Sequence, residues 1–326
     1  MRIAVTGSIA TDHLMTYPGR FADQFLEGHL DRVSLSFLAD RLDIRDGGVG
    51  ANIAVGLGRL GLRPLLAGAV GLDSTDWLRR LAAEGVDTGL VHVSATAYTA
   101  RFVCTTDAEQ NQIASFYTGA MAEARRISLA PAAREGLDLV VVAPNDPEAM
   151  RRHTEECRGL GLDFAADPSQ QLARLDREEA RHLVDGARFL FTNEYEAELL
   201  QHRTGWTARE ILTRVGTWIT TLGARGVTLA RAGEEPVLTV PAVPADHAQD
   251  PTGVGDAFRA GFLAGVAWQW PCERSARLGC ALATVVLESV GTQEYELNAD
   301  DVTARIERAY GPQAAAEVRL RLKEAL

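Results

Sequence analysis

The sequence predicts an α/β layer fold with a mostly parallel central sheet and a small second β-sheet. Two patterns support this fold class. Short, continuously apolar runs alternate with helical segments as far as Ala230, which is typical of a parallel sheet that helices cover on both faces. From Thr252 onwards the chain reads as helical, in at least three segments.

Each predicted element comes from a run of suitable composition and length. The predicted strands are residues 3–7, 65–70, 137–143, 162–167, 188–192, 218–223 and 226–230. The predicted helices are residues 49–60, 74–84, 146–159, 177–185, 194–202 and 207–214. The alternation of the two kinds of element indicates a three-layer arrangement of helices, sheet and helices.

Two segments break this alternation, because their polar and apolar residues alternate with a period of two. They are residues 31–48 and 98–119. The second predicts a hairpin of residues 101–106 and 112–117 around a turn-rich stretch. Half-buried strands do not belong in the middle of a parallel sheet, so we expect a lid with one dry face and one face over a cleft. A simple edge hairpin is the alternative. The lid segments would be about residues 9–46 and 92–119.

The composition limits the classes of partner. The 326 residues are 46% hydrophobic and carry a net charge of −11. That charge argues against nucleic acids and anionic membranes, which would repel the chain. The apolar stretch at the N-terminus is too short for a signal peptide, and the four cysteines show neither CxxC nor zinc spacing. We therefore expect reduced thiols in a cytoplasmic protein.

Common catalytic motifs are missing from the sequence. There is no Walker A motif, no GxSxG elbow, no HExxH motif and no protein-kinase signature set. GLGRLG, residues 56–61, matches the dinucleotide fingerprint GxGxxG. It closes a predicted helix instead of following a strand, so we expect its glycines to serve close helix packing.

The stretch DPTGVGDAF, residues 250–258, is the strongest candidate for chemistry. Unpaired amides at a helix start attract anions, and glycines let an anion approach them. An acid beside such a cradle would repel phosphate, unless Asp256 takes a proton from a hydroxyl that attacks a bound phosphoryl group. An ordinary helix cap is the alternative for the stretch taken alone.

Three further pieces accompany this stretch in a characteristic order. They are DGGVGANIAVGLGRLG at residues 46–61, TNEYE at 192–196 and TLGARG at 221–226. Together, over the whole chain, the pieces resemble the PfkB, or ribokinase-like, family of carbohydrate and nucleoside kinases. The resemblance implies one ribokinase-like kinase domain over residues 1–326, with a β-sheet lid. The chain departs from the family at Val254, where most members have a small residue, and we expect this side chain to narrow the pocket.

The resemblance implies roles at the phosphoryl-transfer end. Asp256 matches the catalytic base, while Asn193 and Glu196 match the pair that organises Mg²⁺, through water, beside the ATP phosphates. The residues that match the anion hole are Gly253, Val254 and Gly255. The residues that match the nucleotide-phosphate loop are Thr221, Leu222, Gly223, Ala224, Arg225 and Gly226. Dependence on a monovalent cation such as K⁺ stays open.

The resemblance also implies a sugar site near the N-terminus. Asp12 matches an acid that binds sugar hydroxyls, and Gly48 and Asn52 match a turn and a side chain on the same sugar. Taken alone, Asp12 could cap a turn and Asn52 could cap a helix.

Aromatic and amide side chains indicate which kind of molecule could accept the phosphoryl group. Phe102 and Phe116, one on each arm of the hairpin, could stack on a nucleoside base or form the lid's own core. Gln170 and Gln171 follow a predicted strand, where paired amides could read the edge of adenine.

A closer resemblance is to the adenosine kinases of mycobacteria and other actinobacteria, carried by TGSIATDHLM, TARFVCTTD and ADPSQQLARL. It implies ATP-dependent phosphorylation of the adenosine 5′-hydroxyl. The implied ribose and base contacts are Ser8, Asp12, Ser36, Gly48, Asn52, Phe102, Phe116, Gln170, Gln171 and Arg174. A kinase for ribose or fructose and a non-catalytic nucleoside-binding regulator remain the alternatives. Related enzymes often pair through their lids, which predicts a homodimer.

Overall fold

Strand β1 (Ile3–Thr6) lies inside an eight-stranded sheet. It pairs in parallel with β4 (Leu65–Ala67) on one side and with β9 (Leu139–Val142) on the other. The computed structural model describes residues 1–25 and 34–326. The strand order is β14-β13-β12-β11-β10-β9-β1-β4. The strands are β1 (Ile3–Thr6), β4 (Leu65–Ala67), β9 (Leu139–Val142), β10 (Asp163–Ala166), β11 (Phe189–Asn193), β12 (Thr217–Thr221), β13 (Val227–Ala230) and β14 (Leu238–Val240).

The predicted parallel sheet is confirmed, with one exception at its edge. Strands β13 and β14 are antiparallel, and the sequence patterns missed β14. The predicted run 65–70 is divided at Gly68, because its second half forms a separate strand, β5 (Ala69–Val70), that pairs with β6 (His92–Val93).

Helices cover both faces of the sheet. Along β1, Ile3 and Val5 face one helical layer and Ala4 faces the other. The first layer holds α1 (Val49–Arg59), α2 (Thr75–Ala83), α8 (Val254–Ala267), α9 (Cys272–Leu287), α10 (Ala299–Tyr310) and α11 (Pro312–Ala325). The second holds α3 (Ala130–Arg134), α4 (Pro147–Leu160), α5 (Arg177–Val184), α6 (Glu194–Thr204) and α7 (Ala208–Leu212). None of the described helices combines the length and apolar character that crossing a bilayer requires.

The lid is a four-stranded sheet with the order β3-β2-β7-β8. Its strands are β2 (Ala10–Thr16), β3 (Arg41–Gly47), β7 (Ala100–Thr106) and β8 (Gln112–Tyr117). The predicted hairpin is present as β7 and β8. The predicted segment at 92–119 starts too early, because β6 pairs with β5 outside the lid. Part of the predicted alternation at 31–48 lies outside the described residues, and its strand is limited to β3.

The sequence predicts that one face of the lid sheet is buried, but strand β8 is exposed on both faces. Strand β8 is exposed at every position, because no second layer of described residues covers it. Strand register places Phe102 and Phe116 opposite each other on one face, beside Asp12. The opposite face carries large apolar side chains that are exposed. They are Leu42, Ile44, Ile113 and Tyr117.

The glycines of GLGRLG serve close packing, as the sequence predicts. A Cβ on Gly56 would lie 2.6 Å from the Ala260 Cβ, where α1 crosses α8. A Cβ on Gly58 would lie 2.0 Å from the backbone oxygen of Glu84 at the end of α2. Glycine at these two points therefore allows helices of the first layer to touch at the backbone.

We expect Gly58→Ala to destabilise the protein by about 1–3 kcal/mol, because the added methyl overlaps a backbone atom that cannot move alone. Gly159→Ala is the matched control, since no atom lies within 4 Å of the new Cβ in α4. That change should stabilise the protein by about 0.5–1 kcal/mol through helix propensity. Urea unfolding of both variants checks the prediction, and equal midpoints would contradict it.

Candidate active site

Helix α8 begins at the sequence DPTGVGDAF with a left-handed cap. Gly253 has a φ of 77°, a conformation that favours glycine, while Gly255 already lies within the helix. Val254 packs against the hydrophobic core beside α8, so the expectation that its side chain narrows the pocket is wrong. The Val254 amide donates to the backbone oxygen of Pro251 at 3.4 Å, whereas the amides of Gly253 and Gly255 have no partner among the described residues. The first turn of α8 therefore presents these two amides beside the Asp256 carboxylate.

Asp256 lies between two cavities. One cavity of about 580 Å³ reaches under the lid, and a second of about 580 Å³ lies over the ends of β11 and β12. Asp256 lines both of them, and we call them the acceptor cavity and the nucleotide cavity after the roles that the family resemblance implies for their lining residues. Burial raises the pKa of Asp256 to about 6, against the opposing effects of the Arg259 charge and the Asn52 hydrogen bond.

Asn52, near the start of α1, fixes the Asp256 carboxylate. Its Nδ2 donates to Asp256 Oδ2 at 2.8 Å. Its Oδ1 accepts from Thr292 Oγ1 at 3.0 Å and from Gln293 Nε2 at 2.8 Å. Asn52 is thus no simple helix cap, and its hold on Oδ2 leaves Oδ1 of Asp256 as the oxygen that can take a proton.

The acceptor cavity brings together most of the residues predicted to bind the sugar and the base. The predicted residues that line it are Ser8, Asp12, Gly48, Asn52, Phe102, Phe116, Gln170, Gln171 and Arg174. Ser36 is exposed and is not among the lining residues. Phe102 and Phe116 face the cavity, while the buried cluster of the lid region is formed by other residues, namely Ala10, Ala100 and Met121. The alternative that these two aromatics form the lid's own core is therefore not supported.

Gly48 and Asp12, which the resemblance assigned to a sugar site, both line this cavity. Gly48 has a φ of 93°, and a Cβ there would lie 2.6 Å from the backbone oxygen of Ser8. Burial raises the pKa of Asp12 to about 6, with repulsion from Glu294 and Asp250 adding to the shift. Charge repulsion of this kind favours a ligand that donates hydroxyl hydrogens to the carboxylate.

Two amides that line the same cavity, those of Gln171 and Asn145, have fixed orientations. Gln171 Nε2 donates to the backbone oxygen of Asn145 at 2.9 Å. Because that oxygen can only accept, the Gln171 amide cannot turn over, and its Oε1 is held as an acceptor. Asn145 is 1% exposed, and its buried Nδ2 has no hydrogen-bond partner among the described residues.

The nucleotide cavity contains part of the predicted phosphate loop and the predicted Mg²⁺ pair. Thr221, Leu222 and Gly223 line it, while Ala224, Arg225 and Gly226 do not. Arg225 instead forms an exposed ion pair with Glu194. Asn193 and Glu196 line the cavity and also form a capping box at the start of α6.

The comparison with known proteins assigns the family. Residues 5–299 match the profile described as pfkB family carbohydrate kinase. The chain belongs to the pfkB family of carbohydrate kinases. It is similar to the nucleoside kinase of Burkholderia thailandensis in complex with inosine, with 33% identity, a TM-score of 0.83 and coverage of 95% of this chain and 98% of that one. A structure of the same kinase with ADP and inosine has 34% identity, a TM-score of 0.79 and coverage of 95% and 96%.

Two further relatives carry different substrate names. The nucleoside kinase of Methanocaldococcus jannaschii is 28% identical over 80% of this chain and 85% of its own length. The ribokinase of Haemophilus influenzae is 25% identical over 89% of this chain and 94% of its own length. The ribokinase-like fold predicted from the sequence is thereby confirmed.

The two carboxylate oxygens of Glu196 in the capping box are held unequally. Glu196 Oε2 accepts from the Asn193 amide at 2.8 Å, while Oε1 receives a longer contact of 3.2 Å from Ser169 Oγ. Glu196 is 9% exposed at the cavity wall. A carboxylate at this wall could hold Mg²⁺, which keeps several waters and needs few protein ligands.

Several site residues carry no motif in the sequence. Arg259 lines the nucleotide cavity and donates from Nη2 to Asp167 Oδ1 at 2.6 Å. Burial raises the pKa of Asp167 and the Arg259 charge opposes that shift. Ser169, Asn145 and Thr292 also line the two cavities. The sequence offers one signal for Arg259: it follows Asp256 by three residues, which places both side chains on the same side of a helix.

We expect kcat/KM to fall below pH 6, because the base must be ionised and its pKa is raised to about 6. Asp256→Asn should lower kcat by roughly 10²–10⁴-fold with little change in acceptor affinity. A pH–rate profile for phosphoryl transfer measures both effects. Asp12→Asn is the control, because Asp12 also has a raised pKa of about 6. The assignment of the base would be contradicted if kcat/KM still fell below pH 6 in Asp256→Asn and no longer did so in Asp12→Asn.

Proposed function

We propose that the protein is an adenosine kinase, which transfers the γ-phosphoryl group of ATP to the adenosine 5′-hydroxyl. The observation that carries the proposal is the position of Asp256 in the walls of both cavities. A nucleoside in one cavity and ATP in the other would meet at this carboxylate. A regulator that only binds a nucleoside would not need such a base.

The reaction follows from this arrangement. The 5′-oxygen attacks the γ-phosphorus while Asp256 Oδ1 takes the hydroxyl proton, so a new O–P bond forms. The bond from the γ-phosphorus to the bridging oxygen breaks, and ADP leaves with that electron pair. The amides at the start of α8 hold the transferring group. Mg²⁺ near Glu196 would neutralise charge on the β- and γ-phosphates when bound.

A nucleoside fits the acceptor cavity better than a free sugar does. Asp12 and Gly48 line the cavity, and a ribose would bind to them. Phe102 and Phe116 lie opposite each other on the lid, and ribose would leave both without a partner. The inosine complex of the Burkholderia thailandensis nucleoside kinase supports an acceptor that carries a base.

The fixed amide of Gln171 favours adenine. Its Oε1 is an acceptor, because Nε2 is held by the Asn145 backbone oxygen. The 6-amino group of adenine would donate to this oxygen, and the free Asn145 Nδ2 would donate to a ring nitrogen. A 6-oxo purine presents an acceptor where adenine presents the amino group, so it would meet repulsion there.

Substrate specificity tests the proposal. ADP release measured with adenosine, inosine, guanosine, ribose and fructose should give the highest kcat/KM for adenosine. Phe102→Ala and Phe116→Ala should each weaken adenosine binding by roughly 1–3 kcal/mol and leave any ribose activity nearly unchanged. Gln171→Leu should reduce the preference for adenosine over inosine.

The alternatives predict different results in the same assay. A wild type that prefers ribose or fructose is a sugar kinase, and the adenosine assignment is then wrong. Equal loss of adenosine and ribose activity in both phenylalanine variants would mean that these side chains serve lid closure and not base binding. Nucleoside binding without ADP release from any acceptor would indicate the non-catalytic regulator.

We also propose that two chains pair through their lids. The outer lid face carries Leu42, Ile44, Ile113 and Tyr117, which are 53%, 59%, 44% and 47% exposed. A second copy offers the same apolar face, as a two-fold interface requires. Strands β3 and β8, which contribute these four side chains, are the edge strands of the lid sheet.

Ile44→Lys should convert the expected dimer to a monomer, because a charge would be buried against an apolar partner face. Light scattering during gel filtration measures the mass. Leu320→Lys is the control, since Leu320 is 73% exposed on α11, away from the lid. A wild type that elutes as a monomer at all concentrations contradicts lid pairing.

A further inference from the structure

Arg259 is the one cationic side chain among the described residues that line the nucleotide cavity. Three carboxylates line the same cavity, from Glu194, Glu196 and Asp256. The negative charge that develops on a phosphoryl group during transfer beside Asp256 meets repulsion from these carboxylates unless positive charge lies close to it. The Arg259 guanidinium is buried, with 7% of the residue exposed, so its charge is poorly screened by water.

The partner of Arg259 leaves its hydrogen-bonding capacity unfilled. A single bond joins Arg259 Nη2 to Asp167 Oδ1, at 2.6 Å. Arg259 Nε and Asp167 Oδ2 are buried and have no partner among the described residues. Arginine and carboxylate commonly pair through two parallel bonds. Asp167 therefore holds the guanidinium through one hydrogen bond and leaves other N–H groups of Arg259 able to donate to a ligand.

Gly255 gives Arg259 access to the anion hole. A Cβ on Gly255 would lie 2.8 Å from Arg259 Nη1, so any other residue would displace the guanidinium. The backbone of Gly255 does not have the positive φ seen at Gly253. Conformation therefore does not require glycine at this position, whereas the approach of Nη1 to the first turn of α8 does.

We propose that Arg259 Nη1 donates to the transferring phosphoryl group beside the Gly255 amide, and that Asp167 is the positioning residue for this guanidinium. The inference deepens the proposed phosphoryl transfer and rests on it. It adds a charged donor to a set of neutral amides, and charged donors stabilise developing phosphoryl charge more strongly than neutral ones.

Arg259→Gln should lower kcat by at least 100-fold, while the dissociation constants for ADP and for the nucleoside change less than threefold. Arg259→Lys should fall between this variant and wild type, since lysine keeps the charge but not the planar fork. Arg188→Gln is the matched control. Arg188 also pairs with an aspartate, Asp163 at 2.8 Å, and lies over a phenylalanine ring, but it lines neither cavity. Its kcat should equal that of wild type.

A binding measurement separates transition-state contact from ground-state binding. ADP with aluminium fluoride, Mg²⁺ and the nucleoside imitates the transferring phosphoryl group. Calorimetry should show at least tenfold weaker binding of this mixture to Arg259→Gln, with binding of ADP alone unchanged. Equal loss for ADP alone and for the mixture would mean that Arg259 only binds nucleotide, and the inference would be wrong.

The double variant Asp167→Asn with Arg259→Gln excludes a purely structural role. Removing one partner of a buried ion pair destabilises a protein, while replacing both with neutral groups restores much of the stability. The melting temperature should therefore recover in the double variant, and kcat should stay at least 100-fold low. Recovery of kcat to within threefold of wild type would overturn the inference.

Different experimental results would refute the role of Arg259 and the proposed function. If wild type releases ADP with ribose instead of adenosine, the Arg259 comparison is made with ribose and keeps its meaning. If wild type is active and Arg259→Gln retains kcat within threefold, the role of Arg259 is refuted while the kinase activity stands.

Discussion

The hydrogen bond from Asn52 to Asp256 is the interaction on which the site depends. It joins residues 204 positions apart, one near the start of α1 and the other near the start of α8. The two helices can bring these residues together because Gly56 lets α1 lie against Ala260 of α8. Strand β3 of the lid connects directly to α1, and the predicted anion hole lies at the start of α8. The contact between the two helices therefore aligns the acceptor cavity with the nucleotide cavity.

Much of the fold could be predicted from the sequence, because its signals are local. Strands β9 to β12 are apolar runs buried on both faces, and the helices between them have caps and periodicity. Strand β14 was missed because it is three residues long, lies at the sheet edge and has only Val240 buried. The exposure of β8 was missed because alternation shows that a strand has two unlike faces and says nothing about whether a second layer covers either one.

The site was predicted where motifs are contiguous and missed where partners are distant in sequence. Gly253 to Asp256 form one short stretch, so their shared location follows from the sequence. Arg259 and Asp167 are 92 positions apart, and nothing in either local sequence points to the other. The closeness of Gly255 to Arg259 could not be predicted either. The sequence indicated Gly255 only as part of the anion hole, and the 2.8 Å between a Cβ built there and Arg259 Nη1 depends on how the arginine side chain folds back along α8.

The walls of the acceptor cavity differ in how tightly they are held. Asn52 and Gly48 belong to a helix start packed against the main core, whereas Phe116 belongs to an edge strand that is exposed throughout. Backbone amides should therefore exchange hydrogen slowly on one side of the cavity and rapidly on the other. An acceptor that contacts both sides would bind only while β8 is paired in the lid sheet. Acceptor affinity and local unfolding of this strand are thus one linked equilibrium.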